Sequence, residues 1–392
     1  MTTSKLHKNI KILTWFNFFT DFLLYAPVAI IYFERITGSY ALGMSIFSII
    51  MIGSALFEVP TGIFSDFIGR RKTVILGAFA AVLYVTFYAI GTNYYILAIG
   101  AIFEALSRSF YSGNNNALLH ATLSETNDQH QYEEYLGKTS SMFQVAAAVA
   151  AILGSVLAAW SFSLIMWLSV IPQLICLYLS FQLVEPKVKV QESGNIYAHL
   201  KEAIWQFVHN KKLRLLSISS IVTYGIGEAS YQFRAAFIIT LWPLWSIGFA
   251  RSLSSIGASF GFYYSGRIIK RFGHVKILLA GFLTNRIINI IAATFVTIFS
   301  PLIMSFTALF YGLLVVAEDS LMQKEFDDKK RATMASLNSL LGNLLYGIVA
   351  IGIGLAADKL DPAKAILLVQ LAMLPVLFIY IKLYRHEKSS TE

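Results

Sequence analysis

The chain has 392 residues, of which 56% are hydrophobic and only 14% charged, against about a quarter charged in an ordinary soluble domain. A mean hydropathy of +0.63 leaves too little polar surface to coat a water-soluble particle, so a soluble enzyme or binding module is excluded. The net charge of +9 does not signal nucleic acid either, because the basic residues are segregated by position along the chain.

A helix needs about 20 apolar residues to cross a bilayer. Segments of that kind fall at 10–33, 41–64, 73–91, 95–117, 137–160 and 163–184. They resume at 215–239, 245–266, 276–294, 301–321, 332–356 and 363–384. The first run, Ile10 to Phe33, exceeds a signal-peptide core and has no small-residue cleavage site, so it reads as the first span. The expected fold is an all-α integral membrane protein with about twelve transmembrane helices. Between the sixth and seventh spans lies the longest hydrophilic connection, Glu185 to Arg214. It separates an N-terminal six-helix bundle (1–184), a linker (185–214) and a C-terminal six-helix bundle (215–392). Within the linker, Tyr197 to His209 is amphipathic and is predicted to lie along the membrane surface.

On this segmentation Arg35, Lys359 and Lys364 lie on one side of the membrane. Arg108, Arg234, Arg251 and Arg286 fall inside spans, and the remaining Lys and Arg crowd the other side. That asymmetry predicts a multi-pass protein of the cell (inner) membrane with both termini cytoplasmic. Connections on the far side, such as Gly91 to Tyr94, are hardly more than turns and leave no external domain. The single cysteine, Cys176, excludes a disulfide framework and a cysteine-based zinc site.

The two halves resemble each other. GIFSDFIGRRKTVILG (Gly62 to Gly77) and GRIIKRFGHVKILLAG (Gly266 to Gly281) occupy equivalent connections. Aligning Gly62 with Gly266 also aligns Gly69 with Gly273 and Lys72 with Lys276. Such an internal repeat is typical of transporter folds with a site near the bilayer midplane.

Gly62, Asp66, Gly69, Arg70, Arg71 and Lys72 match Gly-x-x-x-Asp-x-x-Gly-Arg-Arg/Lys-x-Arg/Lys between the second and third spans. This is the cytoplasmic motif of the major facilitator superfamily, which the chain resembles over essentially its full length. Gly62 would allow close helix approach, Gly69 a sharp turn, and Asp66 could pair with a cation or meet a helix N-terminus. The resemblance implies that the cluster is a conformational latch between the halves. Alternatively the three basic residues serve only as positive-inside charges. The second copy has Lys270 in place of the aspartate.

Ser112-Gly113-Asn114 with Ala117-Leu118-Leu119, Arg331-Ala332-Thr333 with Ser336-Leu337, and the Pro-Val of Leu23 to Val28 resemble segments of exporter-like members. The fifth span, around Gly154-Ser155-Val156-Leu157, lacks the Gly-Pro pair of the antiporter signature.

Charged residues inside a span cost free energy and suggest function. In the resembled family, spans one, four, seven and ten line the central cavity, and most intramembrane charges lie there. Asp21, near the middle of the first span, has no opposite charge within helical reach and is the first candidate for proton coupling; pairing with Arg108 or Arg234 is the alternative. Glu104 and Arg108 are spaced i, i+4 with the acid first, the order that favours an intrahelical pair. They join Asp21 in the expected coupling set. In the seventh span, Tyr224, Glu228, Tyr231, Gln232 and Arg234 lie in a stretch that Gly225 and Gly227 are expected to loosen. A broken polar helix facing a cavity is a typical substrate site. Asn115 is a further candidate donor. Glu58, Glu318 and Asp319 lie near span ends, where solvation is cheap, and read as gate or structural residues.

No phosphate-binding loop and no histidine-based metal motif is present, so no cofactor, no metal and no enzymatic reaction are expected. The expected function is a secondary transporter using alternating access, with a small-molecule substrate, protons and the lipid bilayer as partners. It is expected to act as a monomer without nucleic acid. The leading cargo is a small amphipathic molecule exported against protons. A proton-coupled importer of a zwitterionic or anionic nutrient is the second reading, and a non-transporting membrane sensor or scaffold the third.

Overall fold

A computed structural model describes residues 3–186, 205, 207–325 and 331–389. Every regular element among them is helical. The first six predicted spans appear as α1 (Thr3–Asp21) with α2 (Ala29–Thr37), α3 (Tyr40–Ile68), α4 (Arg70–Ala89), α5 (Tyr94–Tyr111) with α6 (Asn114–Glu125), α7 (Tyr132–Ala158) and α8 (Phe162–Gln182). The rest appear as α9 (Lys211–Ile238), α10 (Ser246–Phe272), α11 (His274–Thr294), α12 (Ser300–Phe306) with α13 (Ala308–Glu325), α14 (Arg331–Lys359), and α15 (Pro362–Ala372) with α16 (Pro375–Ser389).

Among the described residues nine helical stretches are long and apolar enough to cross a membrane. The other predicted spans, α5, α9 and α10, are dilute in apolar residues because they carry Glu104, Arg108, Glu228, Arg234 and Arg251. Helices of that composition cannot show their whole circumference to lipid. Most of the linker's predicted amphipathic segment lies outside the described residues; at its end Trp205 and His209 stack at 4.2 Å.

Chain contacts divide the molecule into two compact units. Unit 1 comprises residues 1–38, 45–191 and 244–248; unit 2 comprises 39–44, 192–243 and 249–392.

In unit 1 the core of α1, α4, α6 and α8 is built from Leu13, Phe16, Val74, Leu118, Leu119 and Cys176. The first span departs from expectation, since it is two helices and not one. It stops at Asp21, and Ala26–Val28 form a short 3-10 turn before α2. Pro27 lacks an N–H and restrains the residue before it, which favours an interruption here. Backbone groups freed in a membrane protein must find partners, and they do. Gln173 Nε2 donates to the carbonyls of Phe19 (3.1 Å) and Thr20 (3.4 Å), and the Leu24 N–H donates to Ser169 Oγ at 3.1 Å. Gly154 of α7 lies directly against the Leu24 carbonyl, where any Cβ would collide with backbone. The fourth span also breaks, at Ser112 and Gly113, where Gly113 has φ +72°. α6 then runs to Glu125, beyond the predicted end.

In unit 2, Pro375 marks a comparable break between α15 and α16. Here Asp358, near the end of α14, accepts bonds from Ser39 Oγ (2.5 Å) and the N–H groups of Tyr40 (2.7 Å) and Ala41 (3.0 Å). A carboxylate at these first N–H groups of α3 complements the helix dipole. Asp361 caps α15 in the same manner, and the Lys364 N–H holds its carboxyl below the usual carboxylate range.

The repeat predicted from sequence has a backbone counterpart. Gly69 (φ +93°) precedes α4 and Gly273 (φ +84°) precedes α11, both in the left-handed region that favours glycine.

Candidate functional site

The motif around Gly69 is built on a helix N-terminus. Glu185, just past α8, accepts the N–H of Arg70 at 2.9 Å and of Arg71 at 2.7 Å. Arg71 Nη2 donates to the Phe181 carbonyl at 2.9 Å. A Cβ on Gly69 would stand 3.1 Å from the Glu185 carboxylate, so this glycine provides both the turn and the space for the acid. Gly62 behaves otherwise than expected. A Cβ there would meet nothing within 4 Å, so no close helix approach occurs at that position among the described residues. The Asp66 side chain lies outside the described residues, while its neighbour Ser65 donates to Asn114 Oδ1 at 2.5 Å. Lys72 is exposed. Glu185→Ala is expected to cost about 1–2 kcal/mol, the usual penalty for losing a cap. The thermal unfolding midpoint of the purified protein checks this; an unchanged midpoint would count against the cap.

The second cluster sits on α5. Glu104 is only 4% exposed. Its Oε1 accepts from Arg108 Nε and Nη2 at 2.9 and 2.8 Å, and its Oε2 from the Tyr88 hydroxyl at 2.9 Å. The predicted i, i+4 pair is therefore formed. Tyr88 is in turn packed edge-on against Tyr25, Phe33 and Tyr84. Arg108 has its outer face open. Asp21, at the end of α1, lies within electrostatic range of both Arg108 and Glu104. No hydrogen bond or ion pair of its carboxylate is found among the described residues, and it is exposed where the first span breaks. Asn115 is buried, and its Oδ1 has no partner among the described residues.

Unit 2 holds the third cluster. α9 runs unbroken through Gly225 and Gly227, which corrects the expected loosened helix. Gly225 instead lets α9 approach α14, with its Cβ position 3.0 Å from the Gly342 carbonyl and from Leu345. Packing has overridden propensity. Arg251 of α10 lies 5.0 Å over the Tyr231 ring and donates to Gln232 Oε1 at 3.4 Å. Arg234 Nη1 donates to the Met304 carbonyl at 3.3 Å. Glu228 is partly buried, within electrostatic range of Arg251 but without direct contact. Tyr224 reaches the other way and donates to Asn343 of α14 at 3.1 Å. Tyr311 of α13 shares an electrostatic neighbourhood with Glu228, Tyr224, Tyr231 and Asp319.

Glu318 is the residue that sequence reasoning misplaced. It is not near a solvated end: α13 continues to Glu325, and Glu318 is 8% exposed. Its Oε1 accepts from Ser219 Oγ (2.5 Å) and the Tyr380 hydroxyl (3.3 Å), and its Oε2 from Thr223 Oγ1 (3.4 Å). Ser219 and Thr223 stand i, i+4 on one face of α9, a signal visible in sequence, but only the fold shows that an acid faces them. No cation pairs with it among the described residues. Arg286, which the sequence left unassigned, is a partly buried base treated likewise. It donates to Gln370 Oε1 (2.6 Å), Met373 Sδ (2.8 Å) and Asn285 Oδ1 (2.5 Å) and lies 5.3 Å over Phe282, all neutral groups.

Among the described residues no group of acidic, histidine or cysteine side chains could hold a metal ion.

The family model described as Major Facilitator Superfamily matches residues 12–351. An uncharacterized MFS-type transporter of Methanocaldococcus jannaschii is 19% identical over 378 residues, covering 92% of this chain and 94% of the relative. Among solved structures, a mutant form of the nucleoside transporter NupG superposes with a TM-score of 0.83 at 13% identity, covering 96% of this chain and 99% of that one. A POT family transporter in complex with a thioalcohol-conjugated peptide gives 0.72 at 14% identity, covering 97% and 96%. At such identities these structures show a shared fold and nothing about cargo. Glu104, Glu228 and Glu318 therefore sit in a multi-pass carrier, not an enzyme, and the chain belongs to the major facilitator superfamily of secondary transporters.

Proposed function

We propose that this transporter is driven by protons and moves a small polar solute by alternating access, with the basic side of the membrane and both termini cytoplasmic. The observation that carries the reading is the environment of Glu318. A carboxylate inside the bilayer is costly unless it is paired or protonated. Here the described surroundings offer three hydroxyls and no cation. A hydroxyl both donates and accepts, so Ser219, Thr223 and Tyr380 can serve the carboxylate and the carboxylic acid alike. A site that tolerates both forms is what a coupling residue requires. Asp21, beside the Glu104–Arg108 pair, is the second proton site of this reading.

Two cargoes remain. Export of a small amphipathic molecule is supported by the exporter-like segments around Ser112–Asn114 and Arg331–Thr333. Uptake of a small zwitterionic or anionic nutrient is supported by Arg234 and Arg251, which have no carboxylate in contact among the described residues, and it is the one the geometry favours.

The test uses right-side-out vesicles with an acid exterior, which read uptake with protons, beside everted vesicles with an acid interior, which read export against them, each with a pH-sensitive dye inside and challenged with organic acids, amino acids, sugars and lipophilic cations. One class should collapse the gradient, and Glu318→Gln should abolish that proton movement while solute exchange persists. Full proton movement in the variant would remove Glu318 from the coupling. Silence across the panel with folded protein would favour the sensor or scaffold.

A further inference from the structure

Within unit 2 a narrow cleft lies between α9, α10 and α12, lined by Tyr231, Arg234, Arg251, Ser254 and Ser305. Two guanidinium groups face it and, among the described residues, no carboxylate does. Each guanidinium carries five N–H donors, yet Arg234 spends one on a backbone carbonyl at 3.3 Å and Arg251 one on an amide oxygen at 3.4 Å. Both bonds are long, and neither arginine forms an ion pair among the described residues. The two groups also feel each other's charge. Like charges held together at membrane depth are unfavourable unless anions join them; Glu228 lies within electrostatic range of Arg251 but touches neither arginine, which leaves positive charge for a ligand to meet. Ser254 and Ser305 already donate to the Ala250 and Pro301 carbonyls, at 3.0 and 2.8 Å, so the two arginines and the Tyr231 hydroxyl are the lining donors left for a ligand. The stacking of Arg251 on Tyr231 fixes the plane of one fork, and planar forks match carboxylates in a bidentate manner.

We infer that Arg234 and Arg251 form a subsite for the carboxylate group of a small organic acid. The cleft is far too small for a whole solute, so only the carboxylate would approach the two forks and the remainder of the molecule extends out of it. Glu228, on the α9 face one turn before Gln232, repels a second anionic group and accepts an ammonium, which sets a preference for monocarboxylates and zwitterions over dianions. This inference rests on the reading of unit 2's polar interior as the solute's path, but it is tested by binding, without proton movement.

The test is thermal unfolding of the purified protein with sodium lactate, alanine or sodium succinate, each against sodium chloride at equal ionic strength and against the matching carboxamide, which lacks the carboxylate. A ligand that binds only the folded state raises the midpoint; a rise of at least about 2 °C is expected with lactate or alanine. Succinate and the amides should give less than half of it. Arg234→Gln and Arg251→Gln should each remove the rise. Arg251→Lys, which keeps the charge but loses the fork, should reduce it and serves if a glutamine variant does not fold. The inference is overturned if no carboxylate differs from chloride, if the amides act equally, or if the rise survives in the arginine variants. Binding with no proton movement in vesicles would instead remove the coupling and leave the subsite standing.

Discussion

Glu104→Leu is expected to destabilise the protein by about 3 kcal/mol, the lower end of what breaking a buried ion pair costs. The lower end applies because Arg108 is open on its outer face, so part of its charge is relieved by rotation rather than stranded. Three bonds vanish together: two from Arg108 and one from Tyr88. The Tyr88 hydroxyl is left buried without its acceptor, which adds to the penalty. The check is a double-mutant cycle on thermal or denaturant unfolding. Arg108→Leu in the Glu104→Leu background should recover a large part of the loss, since two apolar residues in a membrane helix leave no orphan charge. A double variant no more stable than the single would show that the pair is not the source of the effect.

Gly154→Val is expected to prevent unit 1 from assembling. Overpacking a rigid site costs about 1–3 kcal/mol and more where nothing can move. Here the obstacle is the Leu24 carbonyl, backbone that is already anchored by the Leu24 N–H on Ser169. Detergent extracts should lose the monodisperse peak on size-exclusion chromatography. Gly137→Ala on the same helix is the control, because a Cβ at Gly137 meets nothing within 4 Å. It should be neutral or slightly stabilising, as alanine suits a helix interior better than glycine. Equal behaviour of the two variants would mean that helix propensity, and not contact with the unwound segment, controls α7.

Helix content and the family were legible in sequence because hydrocarbon imposes a length and composition on every span, and because the Gly62–Lys72 motif has fixed spacing. The turn at Gly69 and the Glu104–Arg108 pair were also legible, both being local: one needs a backbone only glycine favours, the other an i, i+4 separation. The breaks were not. Pro27 announces a kink, but whether a helix tolerates it depends on partners such as Gln173 and Ser169, more than a hundred residues away. Gly225 misled for the same reason, since a glycine that loosens an isolated helix can equally be the contact point of a packed one. Glu318 was misread because its surroundings come from α9 and α16, and a linear reading placed it by distance from a span end. The apolar asymmetry that located the spans carries no information about which polar groups face each other across them.

Cys176 gives the molecule a built-in reporter. It is the only cysteine in the chain, it is fully buried, and its Sγ lies 3.6 Å from Thr20 Oγ1 and 3.5 Å from the Phe16 carbonyl. A thiol reagent reaches it only when α1 separates from α8, the seam that also carries the anchoring bonds of the unwound segment. The rate of labelling in the unaltered protein therefore measures how often that seam opens, and one serine substitution yields a blank background on which a probe can be placed at any other position.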